Sequence, residues 1–174
     1  MIWFNQNLIN INLMTNYFYP LIENPYRKKD IAQAIKVLRS SKLTSGPITN
    51  KFQNLFSQKL ASKHSLMVNS GSSANLLAFQ CLINPYREKR LKYGDEVLIP
   101  ALCWSTSLWP IIQSGLKPKF VDIDVNTLNI DLNDLKKKIS NKTKAIMLVH
   151  VLGNCTNMDE LIKIKKKNKL ILIE

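Results

Sequence analysis

The chain has 174 residues, 45% of them hydrophobic and 21% charged, with 25 Lys and Arg against 12 Asp and Glu for a formal net charge of +13. That composition suits a globular chain with a true core, and no apolar run approaches the length of a membrane span. Three separated cysteines (Cys81, Cys103, Cys155) and two histidines support neither a disulfide framework nor a metal site, and the cysteines read as reduced packing residues.

The opening MIWFNQNLININL lacks a basic start and a small-residue cleavage site, so a cytoplasmic location is expected. Residues 1–18 read as an N-terminal extension of unassigned role, with Met14 an alternative start to Met1. Residues 19–62 form a helical segment. A helix is predicted from Asp30, with Ile31, Ala34, Ile35 and Leu38 at helical spacing and Asp30 and Gln33 as a capping box. SKLTSGP breaks it. A second helix runs from Thr49 to Ala61, with Phe52, Leu55, Phe56 and Leu60 on one face.

From residue 63 onward strands alternate with helices. Apolar runs at 66–69, 96–100, 119–123, 145–150 and 170–174 read as strands, with helices at 73–83, 106–114, 132–139 and 157–167. The strand runs are almost continuously hydrophobic, as strands of a parallel sheet covered on both faces should be. The last strand has no helix after it, so the sequence is expected to be the front part of a longer protein. The lysines of LKKKIS and LIKIKKKNKL alternate with apolar residues and read as solvated helix faces. No nucleic-acid-reading motif accompanies them, so binding to nucleic acid is disfavoured.

VNSGSSANLLA, Val68 to Ala78, sets small hydroxyl residues between a predicted strand and a predicted helix. Free N–H groups at a helix start attract a phosphate. Gly71 would let the backbone approach, and the Ser72 and Ser73 hydroxyls would add donors. Serving only as cap and turn is an equally weighted reading, because neither GxxxxGK[ST] nor GxGxxG is present. Trp104 follows the strand 96–100 on the edge where ligands gather in open α/β sheets, and its indole can stack on an aromatic ligand. Trp109 reads as core. Asp122 and Asp124 read as a turn, with Asn129 and Asp131 capping the next helix. His150 and Asn154 lie beyond the fourth strand and are possible cleft residues, a packed and hydrogen-bonded His150 being as good a reading.

LTSGP, VNSGSSANLLA, GDEVLIPALCWSTS, FVDIDVNTLNID, KTKAIMLVHVLGN and LILIE resemble, in this order, the DegT/StrS family of pyridoxal-phosphate-dependent nucleotide-sugar enzymes. The likeness covers the chain from about Tyr19 to Glu174. It implies a three-layer α/β/α large domain of the aspartate-aminotransferase type (fold type I), truncated at its C-terminal end, with residues 63–174 as a partial cofactor-binding domain. It implies pyridoxal or pyridoxamine 5'-phosphate as cofactor, with Gly71, Ser72 and Ser73 at its phosphate and Trp104 on its ring. The aspartate that pairs with the ring nitrogen and the Schiff-base lysine are expected beyond Glu174. No catalytic residue is therefore expected within the chain, which would be inactive alone.

The resemblance further implies a nucleotide-sugar substrate, a homodimer at full length and a role in surface polysaccharide synthesis. Its two branches stand nearly level. The leading reading is an aminotransferase passing an amino group from glutamate to a keto-sugar. The alternative is a 3-dehydratase acting on a 4-keto-6-deoxy sugar. A non-catalytic fragment or polyanion-binding module is a third reading.

Overall fold

The computed structural model describes residues 25–174, so the reading of residues 1–18 lies outside the described residues. The chain divides into two compact units, one ending at Ser65 and the other Leu66–Glu174. The first holds helices α1, Lys28–Arg39, and α2, Pro47–Lys59. Helix α1 begins two residues before the expected Asp30. Arg27 is its cap residue, and Asp30 in the first turn accepts the Arg27 N–H at 3.0 Å. Pro47 opens α2, where its missing N–H costs nothing. On α2 the rings of Phe52 and Phe56 stack with centroids 5.6 Å apart.

The second unit is built on four parallel strands, β1 Glu96–Pro100, β2 Lys117–Val121, β3 Thr143–Met147 and β4 Ile171–Ile173, in the order β2-β1-β3-β4. Alternation across the pleat sends successive side chains to opposite faces. Val97 and Ile99 of β1 and Ala145 and Met147 of β3 face one way, meeting Phe79, Leu82 and Ile111. Leu98 and Ile146 face the other way, meeting Val121, Leu135, Leu161 and Ile164. Helices α3, Gly71–Ile83, and α4, Ser105–Gln113, cover the first face, and α5, Leu132–Lys138, and α6, Met158–Asn168, cover the second. Three layers result, and the unbroken apolar strands of the sequence are those buried on both sides.

One expected strand is absent. Residues 66–69 join neither edge of the sheet, and Leu66 and Met67 are 69% and 55% exposed. A strand exists only where a neighbour completes its ladder, and no described strand lies alongside this segment. Strand β2 begins two residues earlier than expected and stops at Val121, because the Asp122 N–H turns to the Asp134 carboxylate at 2.7 Å. Strand β3 is shorter than the apolar run that announced it, ending at Met147. Among the described residues no helix is long and apolar enough to cross a membrane.

Candidate functional site

Because all four strands run the same way, the loops after β1, β2 and β3 meet on one edge. Helix α3 starts beside that edge. Ser70 caps it, its hydroxyl accepting the Ser73 N–H at 3.2 Å, and the Ala74 N–H reaches the Ser70 carbonyl at 3.0 Å. Gly71 and Ser72 are left as the uncommitted donors of the first turn among the described residues. A Cβ built on Gly71 would meet nothing within 4 Å, so the space over this turn is open. Ser70 is a cap, and the N–H groups of Gly71 and Ser72 remain without a partner among the described residues.

Helix α4 follows β1 directly, and its position rests on a proline. Pro110 has no N–H to give the carbonyl four residues back, that of Thr106. Asn75 of α3 supplies the missing donor, its Nδ2 reaching the Thr106 oxygen at 3.2 Å. The bond sets the first turns of the two helices side by side. Between them lies a cleft of about 280 Å³, with Ser72, Ser73, Thr106 and Trp109 among its lining residues. Trp109 is 54% exposed, which corrects its assignment to the core. The buried face of α4 is made instead by Ser107, Pro110 and Ile111.

Trp104 stands in the loop between β1 and α4 and is 82% exposed. An apolar ring of that size displayed at a sheet's carboxyl edge is a ready stacking surface. Its neighbour Cys103 packs against the core, and burial raises its thiol pKa, as suits a structural cysteine.

His150 and Asn154 flank a short 3₁₀ turn, Val151–Gly153. His150 Nδ1 accepts the Thr156 N–H at 3.3 Å, so the proton sits on Nε2, which faces Glu174 Oε2 at 3.1 Å. The hydrogen-bonded reading of His150 describes this geometry. The Asn154 side chain reaches the Thr127 carbonyl at 3.3 Å and its own carbonyl accepts Asn129 Nδ2 at 3.0 Å. Asn129 is therefore no helix cap. It is buried and bridges two loops, with Oδ1 accepting the Val151 N–H at 3.2 Å. Asp131 alone caps α5, and Asp124 accepts the Asn126 and Thr127 N–H groups as the expected turn.

The structure thus brings Ser72 and Ser73 together with Thr106 and Trp109, places Trp104 on the same edge, and ties His150 and Asn154 into neighbouring loops. Asn75, Thr106 and Gln113 were not singled out in the sequence. Pro110 was the available signal, since a proline inside a helix leaves a carbonyl that another side chain must satisfy.

Residues 25–174 match the DegT/DnrJ/EryC1/StrS aminotransferase family, and the chain belongs to it. It is 42% identical over 156 residues to GDP-4-keto-6-deoxy-D-mannose 3-dehydratase of Escherichia coli O55:H7, a match covering 90% of this chain and 40% of the relative. It is 29% identical over 162 residues to UDP-4-amino-4-deoxy-L-arabinose–oxoglutarate aminotransferase of Shewanella sediminis, covering 92% of this chain and 40% of that one. A solved structure of the E. coli GDP-4-keto-6-deoxy-D-mannose 3-dehydratase with bound hydrated PLP superposes with a TM-score of 0.84 at 42% identity, over 89% of this chain and 40% of that one. The chain spans about 40% of the length of these relatives. The three layers are part of the fold type I large domain of PLP-dependent enzymes.

Proposed function

We propose that the protein is a PLP- or PMP-dependent 3-dehydratase acting on a nucleotide-linked 4-keto-6-deoxy sugar, in the supply of a surface polysaccharide. The observation that carries the choice of branch is the gap in identity, 42% to a 3-dehydratase against 29% to an aminotransferase over nearly the same residues. It reverses the order in which the sequence motifs alone placed the two branches. Aminotransfer from glutamate stands second, supported by the family the chain belongs to.

The residues at the carboxyl edge suit the cofactor. The open turn at Gly71, with the N–H groups of Gly71 and Ser72 and the hydroxyls of Ser72 and Ser73, would hold its phosphate at the positive end of α3. Trp104 would cover one face of its ring and keep water from it. Asn75 holds α3 against α4, so that the phosphate turn and the loop carrying Trp104 keep a fixed separation. Bound there, the cofactor supplies an electron sink that lets the hydroxyl at C3 of the keto-sugar leave.

The test is titration of the full-length protein with PLP, followed by tryptophan fluorescence. Quenching is expected, and Trp104→Phe and Ser73→Ala should each weaken cofactor affinity roughly three- to tenfold, the effect of losing about 1 kcal/mol of stacking or hydrogen bonding. Unchanged affinity in both variants would overturn the site assignment.

A further inference from the structure

The face of the sheet opposite the α3–α4 layer carries a second concavity, a groove of about 500 Å³ between α5 and α6. From α6 it takes Glu160, Lys163, Ile164 and Lys167, whose spacing of three and four residues is one continuous face of that helix. At 1.5 Å per residue this stripe runs for roughly 10 Å. Lys136 and Ile139 come from the end of α5. Ile164 is 7% exposed and Ile139 is half-buried, so the isoleucines make the floor, and the three exposed lysines make the rims. Glu160, the one carboxylate lining the groove, is paired with Lys136. Lys163 and Lys167 have no acidic partner among the described residues. They stand four residues apart on α6, where like charges repel each other. A negatively charged ligand would relieve that repulsion.

We propose that this groove docks an acidic amphipathic segment of a partner protein, its apolar side chains on Ile139 and Ile164 and its carboxylates on Lys163 and Lys167. Charge complementarity sets the sign of the partner, since lysines outnumber carboxylates in the groove and the whole chain carries +13. The recessed apolar floor sets its class. A flat anionic membrane would meet the lysines without reaching a floor that lies below them. A nucleic acid would bring phosphates, but no aromatic residue lines the groove to stack on a base. A helix with large apolar side chains between rows of Glu or Asp fills the floor and neutralises both rims. None of these residues belongs to the cofactor turn or to the loop carrying Trp104, so docking here is independent of the enzymatic reading.

The experiment is fluorescence anisotropy of a labelled amphipathic peptide, leucine on one face flanked by glutamate, titrated with the full-length protein. The competitors are the same peptide with its leucines replaced by glutamine, a double-stranded DNA oligonucleotide and phosphatidylglycerol vesicles, compared at equal charge. Lys163→Glu combined with Lys167→Glu should weaken peptide binding about tenfold or more while PLP affinity stays within about twofold. The glutamine peptide keeps the charge and loses the apolar face, and it should compete about fivefold less well than the leucine peptide. DNA and vesicles should also compete less well. Peptide affinity unchanged in the double variant would overturn the proposal. Equal competition by the glutamine peptide would overturn it too, reducing the surface to a solvated cationic face. Stronger competition by DNA or by vesicles would replace the protein partner with a nucleic acid or a membrane.

Discussion

Glu96 opens β1 at the amino edge of the sheet, away from the candidate site. Its Oε2 accepts the hydroxyls of Ser140 at 2.6 Å and Thr143 at 3.2 Å, with Lys119 Nζ at 3.6 Å. The Ser140 hydrogen bond is the main cause of a lowered carboxyl pKa, with Lys119 adding to it and desolvation opposing it. A carboxyl whose pKa is lower folded than unfolded stabilises the fold above its unfolded value, and that stabilisation fades as pH falls through the folded value. Glu96→Gln should therefore lower stability near neutral pH, and the difference from wild type should shrink steadily below about pH 4. Urea unfolding of both proteins from pH 7 to pH 3 measures it, and a constant difference across that range would contradict the account. Gly115 illustrates a backbone constraint: its φ is +71°, and an added Cβ would sit 2.7 Å from Tyr93 Cδ2. The Tyr93 ring is exposed and can yield, so the dihedral decides, and Gly115→Ala should cost about 1 kcal/mol in the same unfolding assay.

Helix α4 depends on its neighbour more than on its own sequence. Pro110 removes one internal bond, and Asn75 of α3 replaces it. Asn75→Leu should leave the Thr106 carbonyl unpaired at a cost of about 1–3 kcal/mol. It should also weaken cofactor affinity, because the turn at Gly71 would lose its fixed place beside α4. A variant that lost stability and bound PLP as before would refute the positioning role. The elements were legible in the sequence where local chemistry decides them. Ser70 and Gly71 mark the start of α3, and β1 fell where its apolar run did, because both its faces are covered. What failed depended on partners that are distant in sequence. Periodicity placed Trp109 on a helix without saying which face meets solvent. The composition of 66–69 suits a strand, yet no run of residues reveals whether a neighbour will complete its ladder. Asn129 stands three residues before a helix, where a cap and a loop bridge look alike until the 151–154 turn comes within reach.

At the scale of the molecule, the two-sided core of the second unit is what holds the carboxyl-edge loops in place. Val97 and Ile99 anchor β1 to the α3–α4 layer and Leu98 anchors it to the α5–α6 layer, so the loop carrying Trp104 leaves a strand fixed from both sides. The family could be read from NSGSSAN followed by GDEVLIP. The branch could not, because the motifs that bear on it pointed both ways, VNSGSSANLLA and HVLGN toward the dehydratases and ALCWSTS toward the aminotransferases. The direct measurement is to incubate the full-length protein with PLP, glutamate and a GDP-linked 4-keto-6-deoxy sugar, and to identify the product by mass spectrometry and NMR. The account predicts a sugar that has lost its C3 hydroxyl. A 4-amino sugar with the C3 hydroxyl retained would contradict it and make the protein an aminotransferase.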